Sequence, residues 1–273
     1  MLEFERVFFG YEGQSATLKD LSFAIGEGEF VALLGENGAG KSTLCRLANG
    51  LLKPSAGRVL ALGMDTKQVK TSLLARDIGF LFQNPDRQIC QNSVRAEILF
   101  GLEIALADEA ARRARCEEML ELFSLSGERD PFGMSRGERQ QIALASVLAR
   151  APSLLILDEP TTGLDYRECM AIMGIVAQLH QKGTTILMIS HDMEIVADFA
   201  GRALVLSEGG LIGDGPVRRI MRDEALLGRA SLLPAQIPAL GARLGGPYAE
   251  AFSVEELLSL AVGKKGEKER AEA

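Results

Sequence analysis

The sequence predicts an α/β fold built on a parallel sheet, and three observations carry that prediction. Short apolar runs at Glu29–Leu34, Leu154–Leu157 and Thr184–Ile189 have the length and unbroken hydrophobicity of strands buried on both faces. Helical stretches separate them, so right-handed crossovers connect parallel neighbours. Between the first run and a helical segment at Leu44–Asn49 lies the glycine-rich turn Gly35-Glu36-Asn37-Gly38-Ala39-Gly40-Lys41-Ser42-Thr43.

The remaining elements follow in order along the chain. Residues 1–34 alternate apolar runs with glycine turns, which reads as a β-rich start. Gly57–Leu62 and Ile78–Phe82 read as further strands. From Val94 to Leu125 Glu, Arg and Ala become frequent and apolar residues take helical spacing, so 85–150 is expected as a mainly helical insert. Gly209-Gly210 joins Ala203–Ser207 to a following strand as a hairpin. Beyond Pro216 the pattern is helical and irregular, and Ser253-Val-Glu-Glu256 has the spacing of a capping box. The expected organisation is one domain over 1–220, an extension over 221–262, and a charged, disordered tail over 263–273.

Bulk properties narrow the function classes. The chain has 273 residues, enough to bury a full core, and its 47% hydrophobic and 25% charged content is that of a soluble globular protein. A net charge of −7 argues against a general nucleic-acid binder. No apolar run approaches the roughly 18 residues of a membrane span, and the N-terminus lacks the pattern of a signal peptide. Residence in the cytosol, or on a membrane only through a partner, is the expectation. Cys45, Cys90, Cys116 and Cys169 show no metal spacing and read as isolated small core residues. His180, near a helix end, reads as structural.

The turn Gly35–Thr43 fits G-x-x-x-x-G-K-[ST], a phosphate-binding loop, in the strand–loop–helix context that motif requires. Its glycines let backbone N–H groups point inward, and the helix N-terminus adds positive potential. Lys41 would reach the β- and γ-phosphates, and Ser42 would hold Mg²⁺. Downstream, the apolar strand Ser153–Leu157 ends in Asp158-Glu159. Asp158 is placed to bind Mg²⁺ and Glu159 to orient or deprotonate water. The alternative for this pair is a cap on the next helix.

Just upstream lies Met134-Ser135-Arg136-Gly137-Glu138-Arg139-Gln140-Gln141-Ile142-Ala143. With this stretch the chain resembles the nucleotide-binding subunits of ATP-binding cassette (ABC) transporters, whose signature there is usually LSGGQ. The resemblance implies an ABC ATPase fold: a RecA-like α/β core, an N-terminal antiparallel β subdomain, a helical signature subdomain and here a small C-terminal extension. It implies ATP and Mg²⁺ as ligands and a second ATPase subunit as partner, with Ser135 and Gly137 serving the γ-phosphate held by the facing subunit. Gly35, Asn37, Gly38, Gly40, Lys41, Ser42 and Thr43 would cradle the nucleotide, and Tyr11 resembles the aromatic that stacks on adenine. Gln83 resembles the glutamine that touches Mg²⁺ and the attacking water, so the metal set is Ser42, Gln83 and Asp158. Asp165, in Gly163-Leu164-Asp165, belongs to the loop coupling the two sites. His191 matches the histidine at the γ-phosphate, which makes Glu159, His191 and Gln83 the catalytic set. Arg136 and Glu138 depart from the usual Gly and Gln. Arg136 is expected to strain a glycine backbone, and Glu138 to bring negative charge near phosphates.

Phe82-Gln83-Asn84-Pro85-Asp86-Arg87-Gln88 is similar to the FQNPD-x-Q stretch of energy-coupling factor transporter ATPases, which import vitamins and metal ions such as cobalt or nickel. The resemblance implies integral membrane subunits docking near Gln83–Phe100, a place on the cytoplasmic face of the membrane, and no nucleic-acid partner. It extends to the C-terminal segment, which in those subunits contributes to dimerisation. Homodimer and heterodimer are both open. A soluble, non-transport ABC ATPase, such as one of cluster assembly, fits the same motifs, as does the subunit of another importer or exporter type.

Overall fold

The computed structural model describes residues 1–13 and 15–261, without the Ile104 side chain. The tail over 263–273 lies outside the described residues. In chain order the elements begin with β1 (Leu2–Phe9), β2 (Leu18–Ile25), β3 (Phe30–Gly35), α1 (Lys41–Ala48), β4 (Ala56–Ala61), β5 (Met64–Asp65), α2 (Thr71–Leu74) and β6 (Ile78–Leu81). The middle third supplies α3 (Val94–Ala105), α4 (Glu109–Leu122) and α5 (Arg136–Leu148), followed by β7 (Leu154–Asp158), α6 (Tyr166–Gln181) and β8 (Thr185–Ile189). Then come α7 (Met193–Phe199), β9 (Arg202–Ser207), β10 (Gly210–Pro216), α8 (Val217–Ile220), α9 (Glu224–Arg229) and α10 (Gln236–Leu244). Residues 254–261 are helical.

Two sheets form. The first is antiparallel, ordered β2-β1-β4-β5. The second is ordered β10-β9-β3-β8-β7-β6, parallel from β9 to β6 with β10 antiparallel at one edge. The period of two decides which side each strand residue faces. Phe30, Ala32, Leu34, Leu155, Leu157, Ile186 and Met188 join one core with the helices α3 to α7. Val31, Leu33, Leu154, Ile156, Leu187 and Ile189 join another with α1 and the antiparallel sheet. The apolar runs of the sequence are therefore unbroken because both faces are covered, as parallel sheets require.

The helical stretch after β6 is divided by local polar signals. Ser93 accepts from Ala96 N at 3.2 Å to start α3, and Asp108 accepts from Ala111 N at 2.9 Å to start α4, breaking the run near Leu106. At the C-terminal extension, Ser253 caps as its spacing suggests, accepting from Glu256 N at 3.2 Å. Glu256 reaches one residue further back than a capping box would place it, accepting from Phe252 N at 2.9 Å and pairing with Arg218. That pairing fastens the extension to the domain over 1–220, and the Arg222–Glu250 pair ties the extension to itself.

Leu33 is fully buried at the centre of the second core. Leu33→Ala should lower stability by about 2–5 kcal/mol, the range for emptying a core leucine site. Leu258→Ala, at an exposed position, should change it by less than about 0.5 kcal/mol. Urea unfolding followed by circular dichroism measures both.

Candidate nucleotide site

Strand β3 ends in a turn that only glycine can make. Gly35 has φ +144, and a Cβ there would collide with the carbonyl oxygen of Leu206. Gly40 has φ +99, and a Cβ there would press on the side chain of Leu18. No side chain caps α1 and its first turn holds no acidic residue, so the N–H groups and the dipole of this helix end are left for an anion. Lys41 is buried and donates to the carbonyls of Gly35 (2.6 Å) and Glu36 (2.8 Å), which places its ammonium across the loop. Burial pushes its pKa down, against the pull of Glu159, Asp158 and Glu36. Tyr11 stands beside the loop, its hydroxyl 3.2 Å from Thr43 Oγ1 and its ring edge-on to Phe9.

Asp158 and Glu159 arrive at the same edge from β7, two strands from β3 and so about 10 Å away at the usual strand spacing. Ser42 closes the gap, donating its hydroxyl to Asp158 Oδ1 at 3.3 Å. Burial raises the Asp158 pKa, partly offset by that hydrogen bond and by Arg46 and Lys41. Glu159 takes the left-handed conformation, φ +53, while its N–H donates to Ile189 O at 3.1 Å on the neighbouring strand. Glu159 is only 8% exposed, and both carboxylate oxygens are engaged. Oε2 accepts from Gln83 Nε2 at 2.6 Å and Thr162 Oγ1 at 3.1 Å, and Oε1 meets His191 Nε2. Gln83, Glu159 and His191, far apart in the chain, thus converge on one carboxylate. Ser42, Gln83 and Asp158 line one cleft. Thr162 carries no motif of its own beyond adjacency to the acidic pair, so its hydroxyl bond was not legible beforehand.

Ser135, Gly137 and Asp165 form a second group. Ser135 starts α5 with a complete capping box, accepting from Glu138 N at 3.2 Å while Glu138 accepts from Ser135 N at 2.8 Å. Asp165 starts α6 the same way with Glu168. Both pairs have the spacing of a capping box in the sequence. Gly137 lets the two helix starts meet, since a Cβ there would collide with the Glu168 carboxylate. Among the described residues no hydrogen bond or ion pair joins Ser135 or Gly137 to the loop 35–43 of the same chain.

Three expectations change here. Arg136 is not strained, because it occupies the first helical position of α5 and is not among the residues with positive φ. Glu138 does not present a free charge. Its carboxylate is tied to the Ser135 backbone and paired with Arg129 at 2.6 Å, which together lower its pKa. Cys90 is exposed, unlike the buried Cys45, Cys116 and Cys169, because it sits on the loop between β6 and α3. His180 has the structural role read for it, contacting Gly28 O at 2.9 Å and lying edge-on to Phe30. No helix among the described residues is long and apolar enough to cross a membrane.

Residues 18–162 match the family model described as ABC transporter. The energy-coupling factor transporter ATP-binding protein EcfA of Methanothermobacter thermautotrophicus is 39% identical over 237 residues, 85% of this chain and 76% of that protein. The solved structure of cbiO1 from Clostridium perfringens, described as part of the ABC transporter complex cbiONQ, has a TM-score of 0.75 and 31% identity, covering 89% of this chain and 98% of its own. The dimeric, post-hydrolysis ATP-binding cassette MJ0796 bound to ADP and Pi has a TM-score of 0.74 and 27% identity, covering 80% and 99%. Other relatives are longer: a Caldanaerobacter subterraneus protein is 41% identical over 261 residues, and the chain spans 45% of it and 38% of two others. A family match running from β2 through the acidic pair, with relatives aligned over most of both chains, shows that the chain belongs to the ABC transporter ATP-binding family.

Proposed function

We propose that the chain is the ATP-hydrolysing cassette of a membrane importer of the energy-coupling factor type, carrying a metal ion or a vitamin. The observation that supports hydrolysis most directly is the Glu159 carboxylate held by Gln83, Thr162 and His191 beside the Ser42–Asp158 pair. The donor set fits the ligands: uncapped N–H groups at α1 suit phosphate, and a hydroxyl with a carboxylate suits a hard cation such as Mg²⁺. When bound, Mg²⁺ neutralises charge on the phosphates and aligns them for in-line attack. Lys41 exchanges its two carbonyl partners for phosphate oxygens, and Asn37 and Thr43 complete the cradle. Glu159 accepts the proton of the attacking water, with Gln83 and His191 orienting the pair. Tyr11, beside Thr43, offers its ring to the base.

Among the described residues Ser135 and Gly137 have no hydrogen bond to the loop of their own chain, which supports a dimer in which each signature completes the partner's site. Asp165, capping α6 at the same surface, would transmit closure between the sites. The extension over 221–262 adds exposed Leu233, Leu240 and Leu244 to that dimer. A membrane subunit would dock in the apolar cleft of about 270 Å³ lined by Leu51, Phe80, Phe82 and Phe100, the last 46% exposed. This docking places the chain on the cytoplasmic face of the membrane. The branch rests on the FQNPD-x-Q stretch and on the EcfA and cbiO1 relatives.

Glu159→Gln should abolish ATP turnover, keep ATP affinity within a few-fold, and accumulate an ATP-bound dimer in size-exclusion chromatography. Retained turnover would remove Glu159 from the base role. Asp158 gives a second outcome. Its raised folded pKa means that its favourable contribution is complete below the unfolded pKa and is lost as pH rises through the folded one. Asp158→Asn should therefore raise the thermal midpoint of the nucleotide-free protein at pH 8, with the gain fading toward pH 4, while losing Mg²⁺-dependent turnover. Phe100→Asp should preserve ATPase activity and eliminate co-purification with integral membrane proteins.

A further inference from the structure

The arginine that replaces the usual signature glycine lines a cleft of its own chain that also holds Ser42 and Asp158. Arg136, Arg46 of α1 and Arg87 after β6 line a cleft of about 310 Å³ together with Ser42, Gln83 and Asp158. Among the described residues none of these three guanidinium groups has a side-chain hydrogen bond or an ion pair, whereas Arg95, Arg129, Arg139, Arg202, Arg218 and Arg222 are all paired with carboxylates. The cleft therefore collects three cations against one carboxylate. Space for Arg136 comes from Gly163: a Cβ there, at φ +78, would lie 3.1 Å from Nε and 3.4 Å from Cζ.

Three like charges lining one cleft repel until an anion joins them. Guanidinium groups pair best with oxyanions, two N–H donors to two oxygens. The cleft is several times the ~30 Å³ that a water molecule takes, so a tetrahedral oxyanion fits beside Ser42. We propose that Arg136, Arg46 and Arg87 form a phosphate subsite next to the Ser42–Asp158 pair. The phosphate is either the terminal group of bound ATP or the orthophosphate released from it, so the subsite rests on the ATPase reading above. Arg136 then works on its own chain's site, while Ser135 and Gly137 serve the partner's.

Calorimetric titration of the full chain with inorganic phosphate, and separately with MgATP, at constant ionic strength tests this. Arg136→Ala should weaken phosphate binding about tenfold or more, the scale of one lost charge-assisted contact, and Arg136→Lys should restore part of it. Arg87→Ala should show the same direction. If MgATP affinity stays unchanged, the subsite holds the released phosphate. If it falls by a similar factor, the subsite holds the terminal group of ATP. Wild-type affinities for both ligands in Arg136→Ala, with circular dichroism unchanged, would overturn the subsite. A wild-type chain that binds no MgATP would overturn the ATPase reading instead.

Discussion

Strand β3 is buried from end to end, and this single constraint organises the molecule. A strand with no exposed face and parallel neighbours on both sides needs a layer above and a layer below it. The helices α3 to α7 supply one layer, and the antiparallel sheet with α1 supplies the other. At its C-terminal end the chain leaves the sheet. It does so through Gly35, into a turn whose N–H groups have no partner in the helix that follows. The phosphate loop is thus the exit of a strand buried from end to end, with a core on each face beneath it.

The same edge concentrates charge that the fold would be more stable without. Lys41, Asp158 and Glu159 are all buried, and burial moves the pKa of Lys41 down and that of Asp158 up. Each shift measures a preference for the neutral form that the site overrides. Each of these groups has nearby partners: carbonyls of the loop for Lys41, the Ser42 hydroxyl for Asp158, and three side chains for Glu159. Buried charges so arranged cost stability in the absence of a ligand.

The two departures in the signature have separate explanations. Glu138 in place of glutamine completes a capping box and meets Arg129, so it strengthens the start of α5 without a free charge. Arg136 in place of glycine causes no backbone strain, since the helix begins at that residue. Its side chain crosses over Gly163 toward the cleft of Ser42 and Asp158, where the usual glycine would leave open space. Local capping and long-range reach, invisible in a comparison of letters, are what distinguish these two residues.

Much of the molecule was determined by the sequence alone. Period-two and unbroken apolar runs mark the strands, and glycines with Lys41 and Ser42 mark the loop, because backbone conformation at those points depends on the residue itself. Ser253 shows its cap in the same local way. What only the tertiary structure decided depends on strand order. β8 lies between β3 and β7, so Ser42 bridges to Asp158, and the loop after β6 brings Gln83 onto Glu159 together with Thr162 and His191. Residues 76 and 116 positions apart meet there because parallel strands end at one edge, a closeness that no local periodicity records.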